Sequence, residues 1–211
     1  MRITIIYDNK SWNEKFKSDW GFSCVIEAFG LNILFDTGAN GHILLDNMKA
    51  SNIDPLRIDM VFISHSHGDH TGGLSDFLKI SPVKVYIPYS YLIHESSASV
   101  IRVTKYLQIH ENIYSTGVLK GIEQSLVIKS AEKVVVIVGC SHPGVGEILE
   151  AASKFGKVNV LIGGLHGFDD FYLINHLDYI CPTHCTRFIR EIKALYPAKY
   201  IEGGAGRVIE I

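Results

Sequence analysis

The stretch His65-Ser66-His67-Gly68-Asp69-His70 constrains this chain more than any other. Three imidazoles and a carboxylate fall within six residues, directly after the strand-like run Asp59-Met60-Val61-Phe62-Ile63. Imidazole suits zinc and iron, and a carboxylate completes a site that can also hold water. On an extended segment the side chains at i and i+2 leave the same face, so His65 and His67 can grip one ion. Past Gly68 the chain can turn and present Asp69 and His70 to a second ion. A histidine-rich loop without metal is the bland reading, and this spacing argues against it.

The pattern around the motif predicts a mixed α/β domain over residues 1–211. Strand-like runs are Arg2–Tyr7, Phe22–Phe29 and Leu31–Phe35 around Gly30, Ile58–Ile63 and Val83–Ile87. A second series follows at Ser125–Ile128, Lys133–Val138, Val158–Ile162, Asp178–Cys181, Ala198–Ile201 and Arg207–Ile211. Helical spacing is legible from Ile43 to Ala50, at Leu74, Phe77 and Leu78, and from Ile148 to Phe155 before Gly156. Thr186 is placed to cap a helix carrying Phe188, Ile189, Ile192 and Leu195. Residues 8–21 read as a loop near the site's rim. Residues 88–120 are the least readable: Val100, Ile101, Val103 and Leu107 allow a helix there. Asp36, His65, His142, His166 and His184 each sit just after a strand-like run. Strand C-terminal ends are where α/β architectures gather ligand-binding groups.

Composition narrows the function classes. The chain has 211 residues, enough for one domain with a sizeable core, and is 47% hydrophobic and 20% charged. A net charge of −2 gives no electrostatic reason to expect nucleic acid. No leader-like segment and no 18-residue apolar run is present, so a cytoplasmic protein without membrane contact is expected. Cys24, Cys140, Cys181 and Cys185 do not form a disulfide pattern and read as buried structural thiols. Cys181-x-x-x-Cys185 is half a zinc site that lacks a partner pair.

Four motifs together carry a family likeness. H-x-H-x-D-H after an apolar strand resembles the metallo-β-lactamase superfamily. Leu34-Phe35-Asp36-Thr37-Gly38 is similar to that family's early Asp motif. Val138-Gly139-Cys140-Ser141-His142-Pro143-Gly144 and Pro182-Thr183-His184-Cys185-Thr186 are similar to its later His motifs. G-C-S-H-P-G with T-H-C-T further resembles a branch named for 7,8-dihydropterin-6-methyl-4-(β-ribofuranosyl)aminobenzene-5′-phosphate synthase.

The resemblance implies a four-layer αββα sandwich with the site along one edge of two facing sheets. It implies two divalent transition-metal ions, zinc first, with manganese or iron as alternatives. His65, His67 and His142 would bind one ion, and Asp69, His70 and His184 the other. Such ions, about 3.5–4 Å apart, share a hydroxide that serves as nucleophile. Asp36 would fix a ligand imidazole's tautomer, with a turn-forming Asp as its plain reading. The expected function is hydrolysis of a small anionic, phosphate-bearing and pterin-related substrate, with Asp69 and His166 as catalytic candidates. The competing readings are a diiron-type redox enzyme and a non-catalytic binding member. Redox members carry Glu where this chain has His67, and they need a flavin partner domain.

The family's usual Asp ligand between the last two His motifs has no obvious equivalent. His166 and Cys140 are the candidates for its place, and His166 alternatively contacts substrate or donates a proton. In another register His142 replaces the Asp and His110 becomes the third histidine. Arg187 reads as a surface residue, with contact to an anionic group as its alternative. His42, His94, His110 and His176 otherwise read as surface or loop residues.

Overall fold

Strand-forming runs in each half of the chain build a sheet of their own, giving two compact units. One comprises Met1–Arg102 with Gly203–Ile211, the other Val103–Glu202. The computed structural model describes residues 1–92 and 99–211.

The first unit's sheet contains β1 (Arg2–Tyr7), β2 (Ser23–Ala28), β3 (Leu31–Phe35), β4 (Met60–Phe62), β5 (Lys84–Pro88) and β6 (Val100–Val103), the strand on which the unit boundary falls. The last strand of the chain, β13 (Val208–Glu210), joins them in the order β13-β1-β2-β3-β4-β5-β6. β1, β2 and β3 are antiparallel neighbours, and β3, β4 and β5 are parallel. Phe29 and Gly30 make the β2–β3 turn at φ 54° and 78°, two positive values of the kind tight hairpins favour.

Parallel strands need crossovers, which here are α1 (Gly41–Ala50), then α2 (Gly68–Thr71) with α3 (Leu74–Ile80). Asn40 caps α1 by accepting from His42 N at 2.9 Å. Leu44, Met48, Phe77 and Leu78 pack on Leu34, Val61 and Val85 of the sheet. Each such burial contributes about 1.5–3 kcal/mol. Asn47 of α1 is buried and donates to Ile6 O and Lys17 O, both at 2.8 Å, which ties the 8–21 loop to the helix.

The second unit contains β7 (Leu107–His110), β8 (Ile113–Ser115), β9 (Leu126–Lys129), β10 (Val134–Val138), β11 (Val158–Gly164) and β12 (Tyr179–Thr183). Their order is β12-β11-β10-β9-β8-β7. The plan repeats that of the first unit: β8, β9 and β10 are antiparallel, and β10, β11 and β12 are parallel. Helix α4 (Val145–Ser153) crosses from β10 to β11, and α5 (Ile189–Leu195) follows β12. Because parallel strands run one way, the ends of β3 and β4 share one sheet edge. The ends of β10, β11 and β12 share one edge of the other sheet. Asp36, the His65–His70 motif, His142, His166 and His184 each follow one of those ends.

Three local expectations fail. Val100, Ile101 and Val103 lie in strand β6 and Leu107 in β7, because β-branched residues paired along a sheet edge outweigh helical spacing. Ala198–Ile201 is no strand; Tyr200 makes one isolated parallel bridge with Ile180. Thr186 does not cap α5, whose cap position is Phe188. Its hydroxyl donates to Thr183 O at 2.7 Å and accepts from Leu165 N at 2.9 Å. The reading of His94 lies outside the described residues. Among the described residues no helix is long and apolar enough to cross a membrane.

Candidate metal centre

In the first unit the histidine motif sits on a buried carboxylate. Asp36 leaves β3 in the left-handed region at φ 51°, a conformation Asp tolerates better than most residues. Its Oδ1 accepts from Ser64 N, and its Oδ2 accepts from Ser64 Oγ and His70 Nδ1, all at 2.7 Å. Complete burial pushes the Asp36 carboxyl up, and His70 and Ser64 pull against that shift.

This network decides two tautomers. Ser64 Oγ spends its one proton on Asp36, so toward His65 Nδ1, 2.9 Å away, it can only accept. His65 is therefore protonated on Nδ1. His70 likewise gives its Nδ1 proton to Asp36. Both rings are left with an Nε2 lone pair and no proton there, the form a metal requires.

The spacing suits a cation. His65 Nε2 and His67 Nδ1 stand 3.1 Å apart. Two nitrogens bound at about 2.05 Å to a tetrahedral zinc would be separated by about 3.3 Å. His70 Nε2 lies 3.8 Å from Asp69 Oδ2, which places a nitrogen and an oxygen donor side by side. His65 and His70 are buried, Asp69 is half-buried and His67 is exposed. The donor set thus fits the transition-metal ions that the sequence implies.

The second unit builds its half around Glu123, which sequence reading missed. Its buried carboxylate accepts four consecutive backbone N–H groups. Oε1 takes those of Gly139, Cys140 and Ser141 at 3.0, 3.0 and 3.1 Å. Oε2 takes that of His142 at 2.9 Å. Ser141, at φ 60°, donates its hydroxyl to Gly164 O at 2.8 Å. The Gly-Cys-Ser-His turn is therefore fixed before any ligand arrives.

Gly163 and Gly164 allow β11 to run against that turn. A Cβ on Gly163 would stand 2.0 Å from Val138 O, and one on Gly164 would stand 2.5 Å from Gly139 O. Beyond them His166 at φ 48° and His184 at φ 50° also take the left-handed region. Each such residue costs of order 1–3 kcal/mol, a strain that clusters at functional sites. The rings of His142 and His166 lie 5.1 Å apart, and Cys140 Sγ is within 4.8 Å of ring nitrogens of both His142 and His184.

All four cysteines are free, and three are buried as expected. Cys185 departs from that reading: it is half-buried, its Sγ 4.0 Å from Cys140 O. A hydrogen bond from the Cys140 thiol, aided by His166, outweighs burial and holds the Cys185 thiol down to about 6.

The structure thus gathers His65, His67, Asp69 and His70 with Asp36 in one unit, and His142, His166 and His184 with Cys140 in the other. His166 is exposed, and His184 is buried. His110 is exposed on the edge strand β7, which weakens the register that would use it as a ligand. Arg187 is exposed with its guanidinium over the Phe188 ring at 5.1 Å. Lys120 also escaped the sequence reading: its Nζ donates to Pro143 O at 2.9 Å, one residue from His142, and pairs with Glu147 at 3.2 Å. Ser64 had a signal, adjacency to the motif; Glu123, in an irregular turn 16 residues before Gly139, had none.

Comparison with known proteins supplies the wider setting. The profile of the metallo-beta-lactamase superfamily matches residues 21–184. An uncharacterized protein of Methanocaldococcus jannaschii is 27% identical, with 99% of this chain and 100% of that protein covered. The 7,8-dihydropterin-6-methyl-4-(beta-D-ribofuranosyl)-aminobenzene-5′-phosphate synthase of the same organism is 25% identical, covering 89% of this chain and 88% of its own. A crystal structure of a metal-dependent hydrolase of the beta-lactamase superfamily superposes with a TM-score of 0.80 at 25% identity. That match covers 100% of this chain and 99% of the other, so the fold expected from the motifs is the one present.

Proposed function

This chain belongs to the metallo-β-lactamase superfamily, and from that premise we propose that it is a metal-dependent hydrolase of a small anionic, phosphate-bearing substrate. His65, His67 and His142 hold one divalent ion, and Asp69, His70 and His184 hold the second. When bound, such ions lower the pKa of water toward neutrality and offset charge developing on the attacked group. No serine or cysteine nucleophile is needed.

The chain's own residues set up that chemistry. Asp36 and Ser64 keep protons on the Nδ1 atoms of His65 and His70 and so hold both Nε2 lone pairs ready. This hydrogen-bonded arrangement carries the proposal, because it leaves two buried imidazoles with an unprotonated Nε2, the form a metal ligand takes. Glu123 presents the turn bearing His142 in one conformation. His166, exposed beside His142, is the residue that would hand a proton to the leaving group, a role its nearness to His142 supports. Lys120 offers a cation near that turn for an anionic group. The named activity of the 25%-identical synthase makes a pterin-related phosphate ester the first substrate class to test.

The test begins with metal-stripped protein reloaded with zinc, manganese or iron and counted for metal per chain. Each form is then screened on phosphodiester, phosphomonoester, lactone and thioester substrates and on a short RNA. Hydrolysis of a phosphate ester, with one solvent oxygen-18 in the product after a single turnover, is the expected result. A form carrying two ions yet inert on every class would replace this reading with a binding module.

A further inference from the structure

We infer that Cys140 is the protein ligand that joins the two metal ions, in the place left by the superfamily's missing Asp. The inference rests on the two-metal reading above and adds a residue to it. Within the second unit, Cys140 Sγ lies within 4.8 Å of ring nitrogens of both His142 and His184, the residues assigned to different ions. The residue is 3% exposed. Its backbone N–H and that of His142 are both held by Glu123, so the two side chains leave a fixed turn at positions i and i+2.

The chemistry separates Cys140 from its rival. A neutral imidazole offers one nitrogen lone pair once its other nitrogen is protonated, so His166 can serve one ion only. A thiolate sulfur carries several lone pairs and can bind two. Cys140 is buried and shares a set of three candidate ligand atoms with His142 and another with His184. On binding, the Cys140 S–H bond breaks, the sulfur keeps its electron pair for the metals, and the proton leaves to solvent. No oxidation is involved.

Cobalt(II) is the probe, because sulfur bound to it gives a near-ultraviolet charge-transfer band that nitrogen and oxygen ligands do not. The protein is stripped and titrated with cobalt, and both the band and the metal count are read. The expected result is two ions per chain with the band present. Cys140→Ser should abolish the band and weaken the second ion by at least about 10-fold, since even outer-shell losses reach that size. His166→Ala should keep both ions and the band.

The chain has four cysteines, so a Cys24→Ser/Cys181→Ser/Cys185→Ser variant leaves Cys140 as its sole thiol. It should retain the band, and it decides the matter even if Cys140→Ser fails to fold. Cobalt bound without a band, a band surviving Cys140→Ser, or one ion lost on His166→Ala would each overturn this inference alone. No cobalt bound at all would overturn the metal reading with it.

Discussion

Asp36 Oδ2 accepts the Nδ1 proton of His70 at 2.7 Å, and both side chains are fully buried. The same oxygen takes the Ser64 hydroxyl, so one carboxylate governs the protonation of two rings. In Asp36→Asn the amide has a single acceptor oxygen for three donors, and its NH2 faces groups that also donate. Zinc affinity should fall by about 10–100-fold, the usual cost of losing an outer-shell partner. Competition against a chromophoric chelator measures it, and an unchanged affinity would remove Asp36 from the site.

Much of this site is legible in the sequence because its parts are local. His65, His67, Asp69 and His70 lie within six residues, and the apolar run before them marks β4. Asp36 and His184 stand directly after β3 and β12, and the strand periodicity places those ends well. What stays hidden is long-range or irregular. Glu123 reaches a turn 16 to 19 residues away, and no periodic pattern announces a carboxylate that accepts backbone N–H groups. The 100–110 region misleads because four apolar residues at mixed spacing fit a helix, while edge pairing decides for strands. Thr186 has the right chemistry for a cap, but Leu165 N and Thr183 O claim its hydroxyl first.

Glu123→Gln should uncouple fold from site. The amide oxygen can keep some of the N–H groups of Gly139, Cys140 and Ser141, but an amide nitrogen cannot accept from His142 N. One buried donor left unsatisfied costs about 1–3 kcal/mol. Denaturant unfolding should show a loss of that size, with metal affinity falling as the turn loosens. Equal stability and equal metal content would mean that the four bonds are dispensable.

Cys185 gives a pH-dependent test in the metal-stripped protein. Its thiol sits at about 6 against an ordinary 9.0, and the thiolate is the reactive form. Alkylation of Cys185 by iodoacetamide, followed by peptide mass analysis, should rise with pH through about 6 and level off by neutrality. A depressed acid lends stability that is full above its ordinary value and lost as pH falls through the folded one. Cys140→Ala removes the largest cause and should move the midpoint upward. A midpoint already near the ordinary thiol value in the parent protein would contradict the geometry around Cys185.

Gly163 and Gly164 should both resist replacement, because what they approach is backbone. Val138 and Gly163 are partners in the parallel β10–β11 pair, and a Cβ on Gly163 would meet Val138 O at 2.0 Å. Its φ of 131° adds strain for any other residue. The Gly164 position is closed by Gly139 O at 2.5 Å and by Cys185 Sγ at 2.7 Å. Neither carbonyl can swing away as a flexible side chain would, so the strands must part. Overpacking of this kind costs about 1–3 kcal/mol, which in a chain of this size lowers Tm by roughly 2–12 °C. Gly167→Ala is the matched control: it lies just past His166, has open space for a Cβ and no positive φ. Calorimetry on Gly163→Ala, Gly164→Ala and Gly167→Ala should show a fall in the first two and almost none in the third. The first two should also lose zinc affinity, since β11 leads to His166 and holds the turn that bears His142 through Ser141. Three equal melting temperatures would show that this close approach does not constrain the site.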